Sequence, residues 1–423
     1  MSSVALYERL TDFLEKGKTA YHAAAEAASF LEEHGYRRLS EGTPFSLAAG
    51  GKYYVTRNGS SVIAFSVGNK CGGFRIVGAH LDSPALKIKG NPVIKAEGAS
   101  KLNTEPYGGG LYYSWLDIPL QVAGRAVIEK DDGLHVMCVT GEKTLVIPSL
   151  AIHMQRDANK SLSVNPQIDL QPILSLSTDA RLACCEEGRV MGEDLFLVHA
   201  AKPYFAGLSE ELLVAPRIDD LVSAMAALEA MEAAGDTGVS VAFLADNEEI
   251  GSRTKQGAAS DFLSSVLTRI AESLSFDLRA MLKDSCFVSC DNAHAVHPNH
   301  PEKSDPTNRV HLGGGIVIKH HAGGNYTTDA VSASIFKSIL EKKSIPYQEF
   351  FMRSDMPCGG TLGAISSMSV SIPSIDIGIA QLAMHAATET MAIADYSALV
   401  DGLSAFYRTA ITVGDDGVIH LSD

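Results

Sequence analysis

From residue 211 onward, short apolar runs alternate with longer stretches of helical periodicity, and this alternation restricts the fold more than any other feature. VSVAFLA, CFVSC, IVIKH, YQEFF and PSIDIGI read as strands. Residues 221–234, 261–282, 330–342 and 396–413 read as helices. Apolar strands threaded between helices are buried on both faces, which predicts an α/β layer fold with a mostly parallel central sheet flanked by helices. The start of the chain fits the same plan. Leu6, Leu10 and Leu14 recur at helical spacing, an Ala-rich run follows over 20–31, and Gly35 supplies a stop. YYVTR, SVIAFSV and FRIVGA then read as strands. Between 92 and 208 the pattern is different. LQVAGRAVIE, LHVMCVT and KTLVIP are strand-like, Gly and Pro break them up, and no long amphipathic helix is visible. The expected partition is an α/β domain from 1–91 plus 209–423, interrupted by an inserted mostly-β domain at 92–208. A chain of 423 residues is long enough for both units without disulfide staples.

Composition excludes several classes of function. Lys and Arg number 35 against 50 Asp and Glu, a formal net charge of −15. That balance argues against a broad nucleic-acid footprint and against docking on anionic membrane. The seven cysteines are scattered and form no CxxC, which indicates a reduced compartment. The N-terminal MSSVALYERLTDFLEKGK lacks a basic segment followed by an apolar run, and no stretch reaches the roughly 20 apolar residues of a spanning helix. A cytoplasmic protein with no nucleic-acid or membrane partner is expected.

Open α/β sheets carry their sites at the carboxyl ends of strands. FRIVGA runs into His80 and Asp82, VAFLA into Asp246, Glu248 and Glu249, and CFVSC into Asp291 and His294. PSIDIGI leads by a short loop to His385, and Asp219-Asp220 opens a helix in APRIDDL. Each has a bland alternative. Asp219 and Asp220 suit an N-cap and a first-turn acid, His385 a core histidine, and the Asp291–His300 stretch surface decoration. Asp82 follows His80 by two residues, so in an extended segment both face one side and the carboxylate can orient the imidazole. Together the five segments suit two divalent ions sharing a bridging carboxylate, with zinc favoured and cobalt or manganese chemically acceptable. Of the adjacent Glu248 and Glu249, one would bind metal and the other would accept a proton. HExxH is absent, so a single-metal helix-borne site is not the pattern.

GAHLDSPALKIK, APRIDDL, DNEEIGS, DNAHAVHP, DMPCGGTLG and QLAMHA closely resemble the aspartyl aminopeptidase and aminopeptidase I family of dinuclear zinc metallopeptidases. YGGGLYYSWLD and IPSLAIHMQR resemble that family's middle domain. The resemblance runs in order over nearly the whole chain. It implies two zinc ions per subunit: His80 and Asp291 on one, Glu249 and His385 on the other, and Asp219 bridging. It implies that Glu248 is the general base, that Asp82 orients His80, and that Asp220 is an N-terminal helix residue. His294, Lys319 and Tyr326 match substrate contacts, and His153 resembles a residue given by a neighbouring subunit. The implied activity is removal of N-terminal residues, with Asp or Glu preferred, from peptides with a free amine. The implied assembly is a homododecamer built from dimers through the β insertion.

Overall fold

A computed structural model of the chain describes residues 3–182 and 188–422. Cys184 and Cys185 lie outside that set, and the five described cysteines are free. The larger sheet has thirteen strands among the described residues. Its centre is four parallel strands in the order Thr237–Ala245, Lys70–His80, Cys286–Cys290 and Ser374–Leu382. Antiparallel strands widen it on both sides. Ser61–Val67 pairs with Thr237–Ala245, while Ile316–His320 and Glu389–Ala392 pair with Ser374–Leu382. The sheet is therefore mixed, with its parallel pairing concentrated where helices cover both faces.

Side-chain alternation explains why the central strands read as continuous apolar runs. Phe74 and Ile76 join Val241, Phe243 and Phe262 in one core. Val77 and Ala79 point the other way and join Ala242, Leu244 and Leu221 in a second core. The helix Ile218–Ala230 is buried along its whole length. Its four alanines let it lie close to the sheet, and Ser3–Lys16 and Ile393–Arg408 pack against it.

Two predicted helices differ in the structure. The stretch 261–282 is two helices, Phe262–Ser273 and Leu278–Lys283. Ser275 at φ 59° breaks the first, and the Asp277 side chain caps the second through the Ala280 amide. The last long helix is Ile393–Arg408, and Ala410–Val413 is instead a strand paired with Ile419–Ser422. The β-branched residues Ile411, Thr412 and Val413 suit that pleated pairing.

The middle of the chain folds as a six-stranded antiparallel sheet running from Ala85–Ala96 to Arg189–His199. Ala99–Tyr107, Leu120–Lys130 and Gly133–Leu145 are its other long strands. It joins the large sheet through residues 81–84 and 200–203. Among the described residues, no helix is long and apolar enough to cross a membrane. The parallel centre has one functional consequence: His80, Asp246 and Asp291 all emerge at one edge.

Candidate metal centre and active site

His80 is the last residue of its strand and is buried. Its Nδ1 lies 2.9 Å from the Asp82 main-chain oxygen, which can only accept, so Nδ1 carries a proton and Nε2 is the nitrogen turned to the site. Nε2 stands 3.3 Å from Asp219 Oδ1. On the other side His385 repeats the arrangement. Its Nδ1 donates to the Gly109 carbonyl at 3.0 Å, and its Nε2 stands 3.8 Å from Asp219 Oδ2 and 3.4 Å from Glu249 Oε1. Asp219 thus turns one oxygen to each imidazole. Two ligands about 2.1 Å from one tetrahedral ion stand roughly 3.4 Å apart, so these separations fit shared cations. The ligand atoms of three groups lie within 4.8 Å of one another: His80–Asp219–Asp291, Asp219–Glu249–His385 and His80–Glu248–Glu249.

The electrostatics also call for cations. Asp219 Oδ1 and Glu249 Oε1 are buried without a hydrogen-bond partner. Burial, reinforced by neighbouring carboxylates, holds Glu249 well above the usual carboxylate range and pushes Glu248 up to about 8. Burial raises Asp291 too, partly offset by Lys319. Burial opposes charge on His80, but Asp219 and Asp220 outweigh it and hold the imidazole well above its usual value. Divalent cations relieve the crowding of acids that one imidazolium and one ammonium leave unbalanced.

Asp82 has a task beyond the one its spacing suggests. Its carboxylate is 3.5 Å from His80 Nδ1, farther than the main-chain oxygen. It also accepts the amides of Glu248 at 3.0 Å and Glu249 at 3.2 Å, and the Tyr107 hydroxyl at 2.7 Å. It therefore fixes the tight turn Glu248–Ile250, which begins at Asn247 with φ 63°. Asp220 is likewise no first-turn helix acid. Its backbone is non-helical, and its Oδ2 accepts the His80 amide at 3.1 Å.

A cavity with about 780 Å³ of open space holds most of the set: His80, Asp219, Glu248, Glu249, Asp291 and His385. His294, Lys319 and Tyr326 also line it. Lys319 is fully buried, its Nζ 4.0 Å from Asp291 Oδ2, 3.3 Å from the Asn292 carbonyl and 5.0 Å from the Tyr326 ring centre. The extra pair His320-His321 does not displace it, because His320 stacks on Phe351 instead. His153 is not brought to the cavity. It is exposed in a turn between Ala151 and Gln155.

Residues 13–407 match the family model described as aminopeptidase I zinc metalloprotease (M18). The chain belongs to this family of zinc aminopeptidases. A probable M18 family aminopeptidase 2 of Clostridium novyi is 40% identical, with 96% of this chain and 99% of that protein covered. The S. cerevisiae mApe1 dodecamer structure is 28% identical over 95% of each chain, with a TM-score of 0.81. Aminopeptidase I from Clostridium acetobutylicum has the same TM-score at 26% identity over 95% of each chain.

This M18 chain contains supporting residues that the sequence pattern did not single out. Glu389 accepts the Asp219 amide at 2.9 Å and the His385 amide at 2.7 Å, one from each of its oxygens. It ties two groups of the site that are 166 residues apart in sequence. Its setting in ATETMA looks like an ordinary polar stretch, and only its pairing in the strand Glu389–Ala392 brings it inward. Gly378 is a second such residue, and its sole sequence signal is a glycine within an apolar strand. A Cβ there would lie 2.0 Å from the Asp291 carbonyl oxygen. Gly378→Ala is expected to cost about 1–3 kcal/mol of stability by overpacking. It should also lower zinc content by shifting Asp291; thermal unfolding and metal analysis measure the two effects.

Proposed function

We propose that the chain carries two zinc ions per subunit and releases the N-terminal residue of peptides with a free amine. In this reading Asp or Glu is the preferred first residue. One observation carries it: the two oxygens of Asp219 face different imidazoles, His80 at 3.3 Å and His385 at 3.8 Å. His80, Asp219 and Asp291 would hold one ion, and His385, Asp219 and Glu249 the other. Bound zinc supplies Lewis acidity, polarising the scissile carbonyl and acidifying a water in the site. Glu248 takes a proton from the attacking water and hands it to the leaving amine. Asp82 keeps Glu248 in place through its amide. Lys319, the one ammonium lining the cavity among the described residues, pairs with an acidic first side chain, and Tyr326 and His294 flank it.

His153 would act in a neighbouring subunit. Exposed Leu150, Ile152 and Met154 around it suit a contact between copies, and the similar yeast structure is a dodecamer. The assembly we infer is a homododecamer of dimers joined through the inserted unit, whose six-stranded sheet spans 85–199 rather than the expected 92–208, with the large-sheet unit on either side of it as the catalytic unit. A cytoplasmic setting agrees with the free thiols.

The test is a kinetic panel of aminoacyl p-nitroanilides with zinc-reconstituted protein. Asp and Glu should lead, and N-acetyl-Asp should not react. Lys319→Met should lower kcat/KM for Asp relative to Leu by about 30-fold, the equivalent of losing one desolvated charge pair of about 2 kcal/mol. A flat panel reduces the reading to an aminopeptidase of neutral preference.

A further inference from the structure

The metal cavity has a closed end and an open end. Lys319, Tyr326 and Thr361 close one side and are 1%, 8% and 3% exposed. His294 stands exposed on the other. Beyond His294 a second cavity of about 820 Å³ continues, sharing that side chain as its wall. Val310, Phe350, Met352 and Met356 line it with apolar surface, His297, Lys303 and Arg353 add basic groups, and Asp305 adds one carboxylate.

The charges there are unevenly engaged. Arg353 is held by both Asp355 oxygens, at 2.7 and 3.0 Å, and Glu302 stands 3.5 Å from His300. Lys303 is left without a salt-bridge partner among the described residues. The walls are also latched together. Arg353 donates to the Glu302 carbonyl, and Asp305 accepts the Thr307 and Asn308 amides at 2.9 and 2.8 Å. A groove held in shape before binding loses little affinity to ordering. On a chain of net charge −15, a lysine that lines an apolar groove and makes no salt bridge among the described residues is a local exception, even with Glu302 and Asp355 near enough to feel its charge.

We propose that this groove binds the part of the peptide downstream of the scissile bond, and that Lys303 selects peptides carrying a carboxylate there. The inference rests on the aminopeptidase reading. With the first side chain in the closed end, the leaving amine faces His294, and the rest of the peptide has the groove as its exit. Apolar residues after the released one lie on Phe350 and Met352. A carboxylate further on, either a side chain or the peptide's own terminus, meets Lys303.

The experiment compares substrates that share the first residue preferred in the panel. One is the p-nitroanilide, which has no downstream part. The others are tetrapeptides continuing Leu-Ala-Glu or Leu-Ala-Lys, each with a free or amidated C-terminus. The wild-type protein should favour the Glu peptide over the Lys peptide, chiefly through KM. In Lys303→Glu the ratio of their kcat/KM values should fall about tenfold or reverse. Persistence of the preference in the amidated pair assigns it to the side chain, and its confinement to free termini assigns it to the terminal carboxylate. Met356→Asp should weaken all the peptides relative to the anilide. Equal kcat/KM for the Glu and Lys peptides in both proteins, in either terminal form, overturns the proposal. Absence of anilide hydrolysis by the wild-type protein would instead overturn the aminopeptidase reading.

Discussion

Glu248→Gln is expected to lower kcat by about 10²- to 10⁴-fold while zinc content stays at the wild-type level. The substitution keeps size and polarity, and the Glu248 amide remains tied to Asp82 at 3.0 Å. What disappears is the ability to accept a proton. Metal content decides between two roles for this acid, because Glu248 lies within 4.8 Å of His80 and Glu249 and has the atoms of a ligand. A loss of both activity and zinc would make it a ligand. A kcat near the wild-type value would remove it from the chemistry. Burial and neighbouring acids push this carboxyl up to about 8, so it is largely protonated at neutral pH unless cations stabilise the charged form. Zinc binding at neutral pH should therefore release protons, which titration calorimetry in buffers of different ionisation enthalpy measures.

Asp219→Ala is expected to remove both ions, whereas His385→Ala removes one. Each Asp219 oxygen faces a different imidazole, so one deletion opens both positions. The loss of activity should exceed the ~10–100-fold typical of residues that only orient a ligand. Glu389→Gln gives that smaller benchmark, since Glu389 touches Asp219 and His385 through their amides. Zinc analysis after gel filtration, with hydrolysis assayed on the same samples, measures all three. If Asp219→Ala retains one full equivalent of zinc, Asp219 does not bridge.

Much of this arrangement is legible in the sequence. His80, Asp291 and the Glu248-Glu249 pair each follow an apolar run that forms a central parallel strand or its immediate extension. Strand ends in an α/β sheet converge on one edge, so those residues could be grouped without knowing the topology. Other features are not written in local sequence. The interruption at Ser275 lies in a stretch whose flanking residues both favour helix, so periodicity ran through it. The nearness of Asp82 to His80 follows from sequence spacing, whereas its bonds to amides more than 160 residues away exist only in the fold.

The apolar periodicity of the strands and the acids and histidines at their ends are local properties, and the sequence by itself determined the layer fold and the chemical inventory of the site. Tertiary structure decided how that inventory is wired. It turned Asp219 toward both imidazoles, set Glu389 behind them, and brought Tyr107 at a strand end of the six-stranded sheet and Gly109 just after it to steady Asp82 and His385. It also left His153 on the surface and opened a basic groove beyond His294. The physical reason is range. Backbone propensity and hydrophobic pattern act over a few residues, whereas each of these pairings joins segments far apart in the chain and exists only once both sheets are packed together.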